Sequence, residues 1–353
     1  MKLGFFSSFI SADLGIDLGT ANTLVLAKGK GIVVKEPSVI ARHKKTKEIL
    51  AIGRKAKKMI GKTPLSIETV KPLKDGVISD FDATVAMLSH FFQGLSKGGD
   101  LISKLTKPRV ALGIPSGVTE VERRAVQDAA LTAGARKAYL IEEPMAAAIG
   151  LDLPIDQPQG FLIIDIGGGT TEIALISLGG IVVDRCLRVA GDEMDLAIIN
   201  FIKLKYSLLL GQATAEDLKI QLGSALAPSK EQDKDKQLVI RGRSLESGLP
   251  KSIKIQSSEV REAMAPVIRR IIDQISDLIE EAPPELLTDV VDKGVILCGG
   301  GAMIQNLDKL ISEEIKMPVW VADDPQTCVV RGCAKLLENE KLLDKFRIIG
   351  GLR

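Results

Sequence analysis

Two segments of the chain repeat one pattern, in which an acid and glycines interrupt an otherwise apolar stretch. The first is "GIDLGTANTLVLAKGKG"; the second, 148 residues later when Asp17 is aligned with Asp165, is "FLIIDIGGGTTEIALISLGG". In both, acid, apolar residue and glycine follow in the same order, and Thr23 falls opposite Thr171. Each segment runs from an apolar strand through a glycine-rich turn into a second strand, which is the pattern of a β-hairpin. The repeat therefore predicts a duplicated fold.

A second pair of segments supports the duplication. "VALGIPSGVTEVERRAV" and "VILCGGGAMIQNLDKLI" each contain an apolar strand, a turn of small residues and an amphipathic helix. In the first of these, Thr119 and Glu122 have the spacing of a capping box at the start of the helix. The order of hairpin, strand–turn–helix, hairpin and strand–turn–helix predicts an α/β fold of two similar lobes.

The boundaries of the lobes follow from the same order. We expect an N-terminal lobe at residues 1–150 and a C-terminal lobe at 151–353, because the proline-bearing "LPIDQPQG" separates the repeats. Two stretches between repeated segments should form peripheral subdomains, one at about 31–103 and the other at about 211–254. We expect residues 320–353 to pack back on the N-terminal lobe.

The composition argues against several classes of protein. Lys plus Arg (47) nearly balance Asp plus Glu (45), so no overall basic charge indicates a nucleic-acid partner. No uncharged apolar run approaches the roughly 20 residues of a membrane span, and the N-terminus lacks the features of a signal peptide. The four cysteines form no CxxC pair, which predicts reduced core residues and no zinc site. We therefore expect a cytoplasmic protein.

The two glycine turns predict a phosphate site. Glycine lets successive backbone N–H groups approach an anion closely. An acid just before such a turn would repel a bare phosphate, so we expect Asp17 and Asp165 to hold Mg²⁺ through water beside the phosphates. Two such turns facing each other would bind a polyphosphate from both sides. For either hairpin alone, an ordinary β-turn with a surface acid is the alternative.

A third glycine cluster, Gly299–Gly301, follows the strand "VILC" and precedes a helix. Glycines at this point would let a flat adenine or ribose lie against the backbone. A tight strand-to-helix turn is the alternative reason for the same residues.

Five segments resemble those of a known superfamily. "IDLGTANTLV", "GIPSGVTEVERRAV", "IDIGGGTTEIALISL", "GVILCGGGAMIQNL" and "PVWVADDPQTCVVRGCAK" are similar to the two phosphate, two connecting and one adenosine segments of the actin, DnaK-type chaperone and sugar-kinase superfamily. Within it, the match is to the MreB family of bacterial actin-like proteins, over nearly the whole chain. The resemblance implies a duplicated, ribonuclease H-like ATPase fold with a nucleotide cleft between two lobes, and it implies polymerisation.

The resemblance also implies roles for individual residues. Glu143 would polarise the attacking water and Thr170 would help to orient it, near the metal acids Asp17 and Asp165. Glu216 would reach the ribose, and Lys219 would lie beside the nucleoside. The implied ATP-binding residues are Gly19, Thr20, Ala21, Asn22, Gly167, Gly168, Gly169, Thr170, Gly191, Asp192, Glu216, Lys219, Gly299, Gly300, Gly301 and Ala302. From the residues alone, Glu143 could instead be a charge at the N-terminus of the helix that follows.

The first eleven residues favour a membrane-surface helix. Three of the nine phenylalanines lie within the first nine positions. On a helix, Leu3, Phe6, Ile10 and Leu14 share one face, and Phe5 and Phe9 broaden it. Such a helix would lie at the inner face of the cell membrane, as in some members of the resembled family. Packing on its own domain, or fraying, is the alternative.

A second apolar patch lies in "GGDLISKLTKP" and consists of Leu101, Ile102 and Leu105. Its position resembles that of a membrane-touching loop in the family. Packing within the domain competes with this interpretation, because Asp100 and Lys104 interrupt the patch.

The hypothesis is a cytoskeletal ATPase that polymerises with Mg-ATP into filaments under the membrane. Together with membrane-anchored cell-shape and wall-synthesis proteins, the filaments would direct cell-wall synthesis and rod shape. A sugar-kinase-like ATPase of the same superfamily is one alternative, although we identify no base and no sugar pocket. A chaperone-like ATPase is another, although we expect no peptide-binding domain after "FRIIGGLR".

Overall fold

A computed structural model describes residues 13–97, 107–227 and 235–348 of this 353-residue chain. The proposed membrane contacts lie outside the described residues: Leu3, Phe5, Phe6, Phe9, Ile10, Leu101, Ile102 and Leu105. The placement of Leu14 on the same helix face was wrong, because Leu14 lies in the strand Asp13–Leu18 and is buried in a hydrophobic core. Within residues 13–97, 107–227 and 235–348, no helix combines the length and apolar character needed to cross a membrane.

The chain divides into two compact units. The first unit comprises the described parts of Met1–Ile155 and Gln326–Arg353, and the second comprises those of Asp156–Pro325. The sequence prediction put the division after residue 150, and the structure puts it after Ile155. Each unit has its own hydrophobic core and its own five-stranded sheet.

The first unit begins with a long run of short strands. Up to its division from the second unit, its elements are β1 (Asp13–Leu18), β2 (Asn22–Ala27), β3 (Gly31–Pro37), β4 (Ile40–His43), β5 (Ile49–Ile52), α1 (Arg54–Lys57), β6 (Ile67–Val70), β7 (Leu73–Lys74), β8 (Val77–Ile78), α2 (Phe81–Lys97), β9 (Arg109–Ile114), α3 (Glu120–Thr132), β10 (Lys137–Glu142) and α4 (Glu143–Gly150). Its main sheet has the order β10-β9-β1-β2-β3, in which β1, β2 and β3 are antiparallel neighbours and β1, β9 and β10 are parallel.

The second unit repeats this plan. Its elements are β11 (Phe161–Ile166), β12 (Thr171–Ser177), β13 (Gly180–Leu187), α5 (Gly191–Tyr206), β14 (Leu208–Leu209), α6 (Gln212–Leu222), β15 (Gln237–Ser244), β16 (Pro250–Gln256), α7 (Ser257–Glu281), α8 (Pro284–Lys293), β17 (Val295–Cys298), α9 (Leu307–Ile315) and β18 (Val319–Val321). The main sheet has the order β13-β12-β11-β17-β18, again with three antiparallel strands beside a parallel set.

The two sheets confirm the predicted duplication. Both segments of the sequence repeat form antiparallel hairpins, and each first strand pairs in parallel with the strand of the predicted strand–turn–helix unit. The predicted capping box at Thr119 and Glu122 is present at the start of α3. In the second strand–turn–helix unit, the connection between strand and helix is longer than predicted. It contains a 3-10 turn at Gly301–Met303, and Asn306, in the left-handed conformation, precedes α9.

The stretch 31–103 is peripheral only in its middle part. Strand β3 extends the main sheet of the first unit through its pairing with β2. Helix α2 places Met87, Leu88 and Phe91 in the same core as Leu14 and Ile16. The separate part is the three-stranded sheet β5-β4-β6 with α1, which has its own small cluster of buried residues.

The described part of Gln326–Arg353 belongs to the first unit and forms α10 (Cys328–Glu338) and α11 (Glu340–Phe346). The first residues of the predicted segment 320–353 do not follow this prediction, because Trp320 and Val321 lie in β18, which pairs with β17 in the second unit. Helix α10 packs on β1, β9 and α4. The contact with β1 is very close, because a Cβ added to Gly15 would lie 2.5 Å from the backbone nitrogen of Ala334. All four cysteines lie in the described part of the chain as free thiols, and Cys298, Cys328 and Cys333 are buried as predicted for core residues, whereas Cys186 is partly exposed.

Candidate functional site

The two glycine turns have the same internal geometry. In the first, a Cβ added to Gly19 would lie 2.8 Å from the carbonyl oxygen of Asn22. In the second, a Cβ added to Gly167 would lie 3.2 Å from the carbonyl oxygen of Thr170, and the Gly167 N–H donates to that oxygen at 2.8 Å. Both turns therefore fold back tightly at the first glycine, and a side chain there would open them.

The first turn is held by residues that are distant in sequence. The Ser38 hydroxyl donates to the Gly19 carbonyl oxygen at 2.6 Å and lies 2.9 Å from the Thr23 hydroxyl. The N–H of Gly76 donates to Oγ1 of the buried Thr20 at 3.0 Å. Because C=O and the next N–H point in opposite directions across a trans peptide, this bond of Gly19 turns the N–H of Thr20 away from Ser38.

The second turn is held by the start of α5. The N–H of Gly191 donates to the Gly167 carbonyl oxygen at 3.2 Å, and that of Asp192 donates to the Gly168 carbonyl oxygen at 2.7 Å. The same peptide geometry directs the N–H groups of Gly168 and Gly169 away from α5. Successive N–H groups on one side of a turn are the arrangement that binds phosphate oxygens.

Asp17 and Glu143 lie at one edge of the first sheet. Strands β1, β9 and β10 run in parallel, and Gly113 of β9 is level with both Asp17 of β1 and Ile141 of β10. Glu143 follows β10 directly, and a Cβ added to Gly113 would lie 3.3 Å from its Cγ. Burial raises the pKa of the Cys333 thiol well above its ordinary value, and the negative charges of Asp17 and Glu143 raise it further, so both acids lie near this sulfur.

Each glycine turn has an acid whose chemistry suits a hydrated magnesium ion. Burial raises the pKa of Asp17 to about 7, since desolvation disfavours its carboxylate, and a neighbouring cation would favour the ionised form again. Asp165 is also buried, at 8% exposure. In the described part of the chain, no three or more His, Cys, Asp or Glu side chains are grouped so that they could hold an ion by themselves. Phosphate and water would have to complete the shell, which suits Mg²⁺.

The acid opposite Asp165 was missed by the sequence analysis. Glu172 of β12 is directly across from Asp165 of β11 in the antiparallel ladder and is 1% exposed. Opposite residues in such a ladder point to the same face of the sheet. The available signal was a charged residue inside the apolar run "TEIALIS", because carboxylates are almost never fully buried without a partner.

The third glycine cluster packs against the strand that carries Asp165. Gly299 has φ 81°, and a Cβ on it would overlap the Asp165 carboxylate and the Ile166 carbonyl oxygen. A Cβ on Gly301 would overlap the Ile166 side chain. These contacts account for glycine at both positions and support the tight-turn alternative there. Gly300 is exposed, and its contact with a nucleoside stays a prediction.

Lys219 is held close to the second turn. Its ammonium donates to the Gly191 carbonyl oxygen at 2.6 Å and lies 2.8 Å from Oδ1 of Asp195. Within the second unit the structure thus brings together four residues that the sequence analysis singled out, namely Gly167, Gly168, Gly191 and Lys219. Asp195 could not be singled out from the sequence, because it is one of three acids near the start of α5 and no local pattern distinguishes it from the other two.

The helix that begins with Glu143 is fixed by glycines. A Cβ added to Gly332 of α10 would overlap the carbonyl oxygen of Ala146 in α4, and one added to Gly150 would overlap the carbonyl oxygen of Cys328. Lys335 also donates to the Gly150 carbonyl oxygen at 3.0 Å. Helices α4 and α10 are therefore in backbone contact, which holds α4 and its first residue in place.

We expect Gly332→Ala to destabilise the protein by about 3 kcal/mol, since overpacking costs this much where the clashing atom belongs to a backbone that cannot move aside. Urea unfolding followed by circular dichroism measures the effect. Gly94→Ala in α2 is the matched control, because a Cβ there meets nothing within 4 Å. The control should gain about 1 kcal/mol from its higher helix propensity. Equal stability of Gly332→Ala and the parent would contradict the backbone contact.

Nearly the whole chain is similar to a known protein family. The family model described as MreB/Mbl protein matches residues 11–345. The cell shape-determining protein Mbl of Bacillus subtilis (strain 168) is 45% identical over 336 residues, which cover 95% of this chain and 98% of Mbl.

Solved structures show the same fold. MreB5 of Spiroplasma citri bound to ADP matches with a TM-score of 0.87 and 39% identity, covering 95% of this chain and 98% of that chain. The same protein bound to AMPPNP matches with a TM-score of 0.87 and 40% identity, covering 94% and 97%. MamK, solved as a double helical filament, matches with a TM-score of 0.77, covering 93% and 99%; at 23% identity this likeness shows the fold alone.

Proposed function

The chain belongs to the MreB/Mbl protein family, and we propose on this basis that it is an actin-like, cell-shape-determining ATPase that assembles into filaments. The observation that carries the proposal is the acid–glycine turn that occurs once in each unit and folds back in the same way both times. Family membership over residues 11–345 supports it. The nucleotides ADP and AMPPNP in the MreB5 structures support nucleotide binding.

We propose that both turns bind the phosphates of one nucleotide. The N–H groups of Thr20, Gly168 and Gly169 are the donors that point outward, because Ser38 and the start of α5 donate hydrogen bonds to the carbonyl oxygens that precede them. Backbone N–H groups held in advance lose little freedom on binding, so they bind phosphate more tightly than mobile side chains would. The nucleoside contacts expected of Glu216, Lys219, Gly300 and Ala302 belong to the same proposal.

Hydrolysis requires an oriented water and neutralisation of the developing charge rather than a covalent nucleophile. We propose that Glu143 accepts a hydrogen bond from that water and so polarises it, and that Thr170 helps to orient the water. Asp17 and Asp165 would hold Mg²⁺ through water. When bound, the ion would neutralise charge on the phosphate oxygens. The close contact of α4 with α10 keeps the Glu143 backbone fixed while the water is polarised.

Assembly and its coupling to ATP form the finer part of the proposal. We propose that Mg-ATP favours filaments, and that filaments at the inner face of the cell membrane act with membrane-anchored wall-synthesis proteins. Sedimentation and negative-stain electron microscopy with ATP, with ADP and without nucleotide test this. Filaments should form with Mg-ATP. A protein that stayed monomeric in all nucleotide, salt and lipid conditions would contradict the proposal, and turnover that depends on an added sugar or peptide would favour the kinase or chaperone alternative.

Removal of residues 1–11 should release filaments from lipid vesicles without preventing assembly. Each apolar side chain of this segment would contribute roughly 0.5–1 kcal/mol when partly buried in lipid, and a filament repeats the anchor many times. Co-sedimentation with vesicles measures the lipid-bound fraction, and sedimentation without vesicles is the control for assembly. Full lipid binding by the shortened protein would shift the anchor to Leu101, Ile102 and Leu105 or to another surface.

A further inference from the structure

A buried carboxylate in the second unit has no role in the function proposed above. Asp195 of α5 is 2% exposed, and its Oδ1 lies 2.8 Å from the ammonium of Lys219 in α6. The Lys219 side chain is itself only 15% exposed. Burial raises the pKa of Asp195 to about 6, although the charge of Lys219 lowers it.

This ion pair is better explained by geometry than by stability. Removing two charges from water costs about as much as their attraction returns, so apolar residues would hold α5 and α6 together equally well. What a charged pair adds is a fixed position for the ammonium, because an ammonium with two partners has few other arrangements. The second partner of Lys219 is the Gly191 carbonyl oxygen, at 2.6 Å.

Gly191 connects this ion pair to the phosphate turn. Its carbonyl oxygen accepts from Lys219, and its N–H donates to the Gly167 carbonyl oxygen at 3.2 Å. A Cβ at this position would lie 3.2 Å from the Lys219 ammonium and 3.3 Å from the Gly167 oxygen, so a side chain there would crowd both hydrogen-bond partners. An unbroken series of polar contacts therefore runs from Asp195 through Lys219 and Gly191 to the turn.

The other end of the series reaches the nucleoside side. Glu216 lies one helical turn before Lys219 on α6, and its charge contributes to the raised pKa of Asp195, so it is close to the ion pair. Lys219 thus lies on the same helix as Glu216 and contacts Gly191, which donates a hydrogen bond to the turn at Gly167.

We propose that Asp195 is a positioning residue that holds Lys219 between α6 and the phosphate turn, so that ribose and phosphate contacts form together. This inference rests on the nucleotide site proposed above. It identifies the preferred ligand as a nucleoside di- or triphosphate, which uses both ends of the series, rather than inorganic pyrophosphate, which uses only the turn.

The experiment compares Mg-ADP with Mg-pyrophosphate as competitors of a fluorescent ATP analogue. The full chain is measured as parent and as Asp195→Asn, which keeps the shape of the side chain and removes its charge. We expect Asp195→Asn to bind ADP about tenfold more weakly, as for loss of a hydrogen bond to a charged group, with pyrophosphate within about twofold of the parent. General destabilisation would lower the active fraction without changing this ratio of affinities.

Glu259→Gln is the matched control. Glu259 of α7 accepts from Tyr206 and lies 2.9 Å from the ammonium of Lys205, which like Asp195 is on α5. Its side chain is 11% exposed, and its contacts are with residues outside the series that leads to the phosphate turn. The ratio of ADP to pyrophosphate affinity should therefore stay at the parent value.

The outcomes of this experiment distinguish a failure of the positioning role from a failure of the proposed function. An unchanged ratio in Asp195→Asn, or an equal change in Glu259→Gln, would overturn the positioning role. A parent protein that binds no nucleotide would instead overturn the proposed function. Should Asp195→Asn fail to fold, Asp195→Glu, which keeps the charge and moves the carboxylate, should show the same selective loss of ADP affinity, and an unchanged ratio there would equally overturn the role.

Discussion

Glu143→Ala should hydrolyse ATP at least about 100-fold more slowly than the parent, because a positioned carboxylate that polarises the attacking water contributes this much or more. ATP binding should stay within about twofold, since the phosphates are bound by the turns and not by Glu143. Phosphate release at saturating Mg-ATP and binding of a fluorescent ATP analogue measure the two quantities separately.

Glu120→Ala separates this role from the alternative of a helix N-terminal charge. Glu120 and Glu143 are both acids in the first turn of a helix, α3 and α4 respectively. Glu120 is exposed, whereas Glu143 is half-buried. If Glu143 served only the helix dipole, both variants would lose roughly 0.3–1 kcal/mol of stability and neither would lose activity. Equal hydrolysis rates in Glu143→Ala and the parent would remove its assigned role.

Asp165→Ala should lose most of the benefit that Mg²⁺ gives to ATP binding. In the proposed site, the buried carboxylate beside the second turn would repel phosphate when no cation is present and would hold the ion when one is. We therefore expect ATP affinity with Mg²⁺ to fall roughly 100-fold, the scale of a lost metal contact. In EDTA the variant should bind ATP as well as the parent or better.

Isothermal titration calorimetry with ATP measures this affinity, once in the presence of Mg²⁺ and once in EDTA. Asp184→Ala is the control, because Asp184 lies on β13 of the same sheet, opposite Ala174 of β12, rather than beside a glycine turn. An equal fall in affinity with and without Mg²⁺ would show that Asp165 supports the turn and does not hold a metal ion.

Features that depend on neighbours in sequence could be predicted from the sequence. The hairpins followed from apolar strands on both sides of a glycine-rich turn, and the capping box followed from the spacing of Thr119 and Glu122. The duplication followed because the same local pattern occurs twice. The fold class and the nucleotide turns thus rest on signals of fewer than about 20 residues, which periodicity and turn chemistry capture.

The residues that hold the turns in place could not be predicted in this way. Ser38 and Gly76 contact the first turn from other parts of the fold, and Asp195 acts through Lys219, which is a full helix away. No local pattern marks such a residue, because its partner is chosen by tertiary packing. The packing that requires glycine at position 299 could not be predicted either, because the atom that excludes a side chain there belongs to Asp165 on another strand.

The proposed ATPase function depends most on a single claim, which is that the turns at Gly19–Asn22 and Gly167–Thr170 bind one magnesium nucleotide together. A crystal structure of this protein with Mg-AMPPNP tests it directly. We predict phosphate oxygens within hydrogen-bond distance of backbone N–H groups from both turns, and a metal ion whose bound waters contact Asp17 and Asp165. A nucleotide bound at only one turn, or elsewhere on the protein, would contradict the account.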